Sequence, residues 1–316
     1  MIEAVAIGPK DAVFSVFRSK GVSFVVAHTA KEAISLYETP DKLRALWVSA
    51  SGAIHAGGKR YHTNASGTWL ATKAPCELFA LWGVDDDVFA GGMGGEILRR
   101  KGGAWHELAN VEQLVTSIHG LGASSVHFVG DDLNGYFDGT SFTRDALPDG
   151  ESSMFMQGVF CTSAAETWLC SSQGLYVARG REPATKVASA NNDETYGVGL
   201  GAGGVFLHRG TELLRLEGET LVVVYENEAA LLAKQGVFSN CITSNGRRVV
   251  AGGVRSVLVE DGAGFVEWPG LAPARPVPEP KAPPAKPNAK TAKPESTKKA
   301  PSEVQAKTSP KPKATR

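Results

Sequence analysis

Leu81-Trp82-Gly83, Asp87-Val88-Phe89-Ala90-Gly91-Gly92, Gly95-Glu96-Ile97-Leu98 and Gly103-Ala104-Trp105 follow one another within 25 residues. Each is a short run of apolar, β-branched or aromatic residues, set off from the next by Asp or Gly. Runs of this length and composition read as strands, and the interruptions read as hairpin turns. The stretch is four strands of one antiparallel sheet.

The same unit recurs on both sides. Ala80-Leu81-Trp82 has a counterpart 35 residues earlier in Ala45-Leu46-Trp47, and Ser117-Ile118-His119-Gly120 follows 37 residues later. Gly158-Val159-Phe160, Gly197-Val198-Gly199 and Gly236-Val237-Phe238 continue the series at steps of 41, 39 and 39. The second run returns as Ile54-His55-Ala56-Gly57-Gly58, Val126-His127-Phe128-Val129-Gly130, Trp168-Leu169-Cys170-Ser171, Val205-Phe206-Leu207-His208 and Val249-Val250-Ala251-Gly252-Gly253. A third run, such as Ser256-Val257-Leu258-Val259, precedes a glycine turn and a large apolar residue: Gly67 to Trp69, Gly139 to Phe142, Gly218 to Leu221, Gly262 to Phe265. Four strands in a period of about 35 to 44 residues make one propeller blade. A single blade leaves both sheet faces bare, whereas a ring of blades covers them and leaves few long edges.

The first 40 residues hold a degraded copy. Residues 11–18 and 21–28 read as its first two strands and 33–37 as its third, with no evident outer strand. Ile2 to Ile7 reads as an extra run that pairs with the last blade and closes the ring. The expectation is an all-β, seven-bladed β-propeller over residues 1–272, with six or eight blades as alternatives. Two separate β-sandwich domains fit less well, because the spacing is too even.

Residues 273–316 are of another kind. They hold eleven Lys or Arg against three Glu, eleven of the 17 prolines, no aromatic residue and none of the 36 glycines. The chain's zero net charge thus divides into −8 over residues 1–272 and +8 over the remainder. Such a segment cannot bury enough apolar area to fold and is expected to be a disordered, extended tail. Its Lys281, Lys286, Lys290, Lys293, Lys298, Lys299, Lys311 and Lys313 suit weak, salt-sensitive contact with nucleic acid or an anionic surface. Met1-Ile2-Glu3-Ala4 carries no secretory signature, no apolar run reaches 18 residues, and four scattered cysteines form no CxxC pair. Free thiols and a cytoplasmic setting are expected. Cys161 and Cys170 are expected opposite one another across a hairpin turning at Ala164-Ala165.

The repeat at residues 81–105 resembles one common in bacterial propeller proteins: Trp-Gly, Asp-Val-aromatic-Ala-x-Gly, Gly-x-Ile, then Gly and Trp. It is not similar to WD40 or kelch arrays, whose Gly-His/Trp-Asp and Gly-Gly signatures do not recur. The resemblance implies a fold and leaves function open.

No His-x-Glu, nucleophile-elbow or P-loop pattern occurs, and the seven histidines share no single repeat position, so neither a metal nor another cofactor is expected. Gly91-Gly92-Met93-Gly94-Gly95 joins two strands and reads as a blade turn. The candidates are therefore surface residues: Asp85, Asp86 and Asp87 in the first turn of blade three, Asp131 and Asp132 in the second turn of blade four, and the inner-strand Trp47, Trp82 and His119. Turn aspartates ordinarily bind their own backbone. The sharper reading is a face for a basic protein partner, with aromatic anchors. The function expected is a non-catalytic protein-interaction or scaffold module with the tail as tether. A hydrolase or lyase acting at the channel mouth is the alternative, and Glu226 to Lys234 is the one expected short helix.

Overall fold

The structure is a computed structural model, which describes residues 1–190, 195–209, 212–226, 241–253, 256–262 and 264–271. The described residues form seven four-stranded antiparallel sheets, each from one continuous segment with its strands in chain order. Blade one is β1 (Ile2–Ile7), β2 (Val13–Ser19), β3 (Val22–His28) and β4 (Ala33–Thr39); blade two is β5 (Leu43–Val48), β6 (Ile54–Gly58), β7 (Arg60–Thr63) and β8 (Leu70–Lys73). Blade three is β9 (Leu78–Val84), β10 (Asp87–Gly92), β11 (Glu96–Lys101) and β12 (Ala104–Asn110); blade four is β13 (Val115–Gly122), β14 (Ser125–Gly130), β15 (Leu133–Phe137) and β16 (Phe142–Arg144). Blade five is β17 (Met156–Ser163), β18 (Glu166–Ser171), β19 (Gly174–Ala178) and β20 (Thr185–Ser189); blade six is β21 (Thr195–Gly201), β22 (Gly204–Arg209), β23 (Glu212–Glu217) and β24 (Thr220–Glu226). Blade seven is β25 (Ile242–Ser244), β26 (Val249–Gly252), β27 (Ser256–Asp261) and β28 (Gly264–Pro269). Besides strands, the described residues hold two 3-10 turns, Pro9–Asp11 and Pro148–Gly150.

Burial explains which strands are easy to read. Middle strands are covered on both faces: every residue of β6 and β19 is buried, and β10 is buried from Val88 to Gly92. Strands buried on both faces become unbroken apolar runs. Outer strands face solvent on one side, as β12 does, and their signal fades. Seven apolar clusters fill the seven spaces between neighbouring blades. Phe89 and Ile97 of blade three meet Val115 and Phe128 of blade four, for example.

The repeated Gly-Gly ending of the second strand has a steric cause. A Cβ on Gly91 would lie 2.4 Å from Val115 Cγ1, and one on Gly57 would lie 3.0 Å from Leu78 Cβ. At the seventh junction a Cβ on Gly252 would lie 2.7 Å from Ile2 Cγ2. In each case the glycine makes room for the first aliphatic residue of the next inner strand. Ring closure between blades seven and one is thus the same contact as between blades three and four.

This corrects the reading of blade one. β1 pairs with β2 (Val5 opposite Ser15, Ala6 opposite Phe14) and is the inner strand of its own sheet. The expected first, second and third strands of that blade are its second, third and fourth. Residues 33–37 read as a strand but not as the outer one, because β4 exposes Ile34 and Leu36 and lacks the glycine-to-aromatic marker. Blade seven has its own inner strand, β25, so the ring closes face to face. Ile2 and Val5 pack on Val250, Val257 and Val259, with one hydrogen bond from Ile2 N–H to Gly253 O at 3.4 Å. Gly236-Val237-Phe238, residues 227–234 of the expected helix and residues 273–316 lie outside the described residues; Glu226 ends β24.

The cysteine expectation is corrected as well. The hairpin does turn at Ala164-Ala165, but its register sets Cys161 opposite Thr167 and Cys170 opposite Gly158. An odd offset within a strand pair sends side chains to opposite faces. Cys161 packs toward blade four and Cys170 toward blade six, and neither is in a disulfide. Burial pushes the Cys161 and Cys241 thiols up to about 12, which keeps them protonated and unreactive. Among the described residues, no helix is long and apolar enough to cross a membrane.

Candidate interaction surface at the channel mouth

Each inner strand pairs only with the second strand of its own blade, so its other edge borders the central channel. All inner strands run the same way, because each second strand ends beside the start of the next inner strand. First turns of all blades therefore share one face of the disc, and second turns share the other.

That geometry divides the aspartates. Asp85 and Asp86 sit exposed at the tip of the β9–β10 hairpin on the first-turn face, and no ion pair engages them among the described residues. Asp87 is paired with Arg99 at 2.5 Å. The guanidinium of Arg99 lies over the Phe89 and Phe137 rings, which makes Asp87 part of the joint between blades three and four. Asp131 and Asp132 lie on the opposite face. Asp132 takes a left-handed backbone, φ 47°, and its Oδ1 accepts the Met154 N–H at 2.6 Å. It holds the loop leading into blade five. The five aspartates form no common patch.

The aromatic candidates do come together. Trp47, Trp82, His119 and Phe160 occupy the same ring position on blades two to five, opposite His55, Phe89, His127 and Trp168 in their hairpins. The benzo edge of Trp47 packs against Gly83, where a Cβ would lie 2.7 Å away, and Trp82 packs the same way on Gly120, at 2.8 Å. This explains the Trp-Gly pair: the tryptophan of one blade needs a glycine on the next. Trp82 and His119 rings are 5.9 Å apart, and His119 and Phe160 rings 4.3 Å. On blades six, seven and one the equivalent residues are Gly199, Thr243 and Ala6, so the collar is one-sided. It surrounds a cavity of about 150 Å³ lined from all seven inner strands, and among the described residues no Asp, Glu, Lys or Arg lines it.

Blade four replaces Trp-Gly packing with a polar zipper. Ser117 Oγ accepts the Val159 N–H at 3.4 Å and His119 Nδ1 accepts the Cys161 N–H at 3.0 Å. These are alternate residues on both inner strands, so the side chains satisfy channel-facing donors of β17. An accepting Nδ1 places the ring proton on Nε2. Burial, with His127 beside it, lowers the His119 pKa to about 3, so the collar carries no charge at neutral pH.

The remaining buried histidines serve the blades. His28 binds Ser15 Oγ and Pro269 O, and His55 binds Tyr61 OH and Thr63 Oγ1. His62 lies between Tyr37 OH and Asp41. Among the described residues no three His, Cys, Asp or Glu side chains gather as a metal site. Sequence reading also missed Glu260, a carboxylate only 3% exposed that β27 inserts into the first turn of blade six. Its Oε1 accepts the Gly203 N–H at 2.7 Å and its Oε2 the Val249 N–H at 2.8 Å. The signal was there in Gly201-Ala202-Gly203, a turn with no side chain large enough to fill its own hollow.

No protein-family model and no curated protein matches the chain. Solved structures do. The WD40 propeller domain of Doa1 superposes with a TM-score of 0.60 at 12% identity, covering 84% of this chain and 92% of that one. U3-55K gives 0.61 at 12% identity, with 80% and 88% covered. The extracellular domain of the putative one-component system BT4673 from B. thetaiotaomicron gives 0.63 at 9% identity, where this chain spans 82% of itself and 38% of that protein. Identities this low carry the backbone and nothing more. The chain is a seven-bladed β-propeller that shares its fold with WD40 domains without carrying their sequence signature.

Proposed function

We propose that this chain is a non-catalytic protein-interaction module whose partner docks on the first-turn face. The observation that carries this reading is the surface around the hairpins of blades three and four. Exposed, uncompensated Asp85 and Asp86 stand beside half-buried Trp82, and Leu121 at the next hairpin is 44% exposed. Aromatic and aliphatic anchors within a charged rim are what protein hot spots are made of. One similar solved structure is a mitotic checkpoint complex, which shows a comparable propeller (TM-score 0.55, 10% identity) within an assembly. Cysteines that form no disulfide suit a reducing, cytoplasmic setting, and the sequence repeat resembles bacterial propellers.

The test is comparative capture. A stoichiometric partner retained by the native protein should be lost with D85K/D86K and kept with K20E, which alters the opposite face. Loss with both, or with neither, would count against the assignment. The basic segment 273–316 is proposed as a tether with weak polyanion contact. Removing it should reduce heparin retention at low salt, with the difference vanishing at high salt as screening grows. Equal retention at low salt would make it a passive extension.

A further inference from the structure

The second-turn face carries its charges in two blocks. Each fourth strand runs opposite to the inner strand of its blade, so the loops joining one blade to the next lie on this face beside the second turns. Followed around the ring from blade one, these turns and loops present first lysines and then carboxylates. Lys20 occupies the second turn of blade one, Lys42 the loop from blade one to blade two, and Lys59 the second turn of blade two. Glu112 occupies the loop from blade three to blade four, Asp131 the second turn of blade four, and Asp149 and Glu151 the loop from blade four to blade five. Among the described residues none of these side chains is in an ion pair, whereas Arg44 pairs with Glu77 and Arg60 with Asp41 in the same region. Lys20 (φ 49°) and Glu112 (φ 58°) also hold left-handed backbone, where glycine or asparagine costs less. The turns themselves would be better served by those residues than by long charged side chains.

The order of the two blocks is self-complementary. A half-turn about an axis lying in this face, along the boundary between blades two and three, sets blade two over blade three of a second copy and blade one over blade four. Turns then meet turns and loops meet loops. The loop holding Lys42 comes over the loop holding Glu112, and the turn holding Lys20 over the turn holding Asp131. Each pair occurs twice, because a two-fold contact uses the same patch on both copies. The Lys59 turn comes over Met93-Gly94-Gly95 of blade three, where Met93 is 47% exposed and offers an apolar seat for the lysine stem. Other positions of the axis match less well. Half a blade toward blade two sets Lys59 over its own copy. Half a blade the other way leaves Lys20 over the uncharged Ser172-Gln173 turn of blade five and Glu112 over the loop that carries Glu77.

We propose that a second copy of this chain binds the second-turn face through this two-fold contact, with Lys42 and Lys20 of each copy against Glu112 and Asp131 of the other. The dimer leaves both first-turn faces outward and free, so it stands or falls independently of the docking reading above. Exposed ion pairs are individually weak and are screened by salt, which makes the contact salt-sensitive.

Sedimentation velocity on the full chain provides the test. At low salt the native protein should shift from monomer to dimer over a rising micromolar concentration series, and at high salt it should stay monomeric. K20E/K42E sets carboxylate against carboxylate across the axis, and E112K/D131K sets lysine against lysine. Each variant alone should associate at least about tenfold more weakly than the native chain at low salt. Mixed in equal amounts, the two should recover a heterodimer, because every reversed residue then meets its reversed counterpart. All four substitutions lie in turns or loops, and a native-like melting temperature confirms that each variant folds. A native chain that stays monomeric at low salt, association that neither variant weakens, or a mixture no more associated than its components would overturn the proposal. A native monomer whose heparin retention falls with K20E/K42E would also overturn it and make the lysines a polyanion contact instead.

Discussion

Between pH 6.5 and 4 the propeller should lose several kcal/mol of folding stability and unfold in conditions that leave most propeller carboxylates ionised. The cause is a set of histidines held neutral inside the blades. Burial lowers His55 and His127 to about 4, assisted by Arg100 and Arg181 respectively, and lowers His119 to about 3. His28 and His62 are lowered as well, chiefly by burial. A folded-state pKa below the unfolded value of 6.5 means that the unfolded chain takes up protons first. Stability is then complete above pH 6.5 and falls as pH drops toward the folded values. A shift of about 2.5 units corresponds to about 3 kcal/mol. Three such groups approach the whole 5–15 kcal/mol of a typical domain. Asp145, whose pKa burial raises despite Arg181, opposes the trend with a single group. Urea midpoints measured from pH 7.5 to 4 should fall steeply below pH 6.5. H127Q should flatten the curve by about one proton's worth of slope. A stability that stays level down to pH 4 would mean these rings find water or partners when charged.

The second large effect concerns Glu260. Replacing it by alanine leaves the Gly203 and Val249 N–H groups buried without acceptors, and each such loss costs about 1–3 kcal/mol. E260A should therefore lower stability by about 3 kcal/mol and loosen the joint between blades six and seven. Gly201 tests the same contact from the other side. A Cβ there would meet the Glu260 carboxylate well inside contact distance, so G201A should also destabilise strongly. The two should not add. Removing the carboxylate makes room for the new methyl, so the double variant should be more stable than the sum of the single losses implies. Thermal or urea unfolding of the four proteins completes the cycle. Strict additivity would mean that Gly201 is needed for its backbone and not for the space it leaves.

What could be read from the chain follows from where burial is double-sided. Val88 to Gly92 and its counterparts are covered by neighbours on both faces, so every position is selected to be apolar or small and the repeat stands out. Ala33–Thr39 is covered on one side only, and its irregular exposure hid that this strand is the outer one of blade one. That single loss shifted the reading of the whole blade by one strand and turned its inner strand into a supposed closing strand for blade seven.

The sequence by itself determined the architecture: four-strand period, about seven repeats, a glycine turn grammar, and a compositional break at residue 273. Such features are local, set by strand length, turn chemistry and the need to bury two sheet faces. Only the tertiary structure decided which candidates belong together. Strand direction put Asp85 and Asp131 on opposite faces, though both look like acidic turns. Register put Cys161 and Cys170 on opposite sides of one sheet, though both belong to one hairpin. Ring closure gathered Trp47, Trp82, His119 and Phe160, spread over more than a hundred residues, around one cavity. Glu260 found its partners 11 and 57 residues away. These are relations between blades. A pattern repeating within each blade cannot state them, because they depend on how a sheet's two faces and two ends are assigned when seven of them close into a ring.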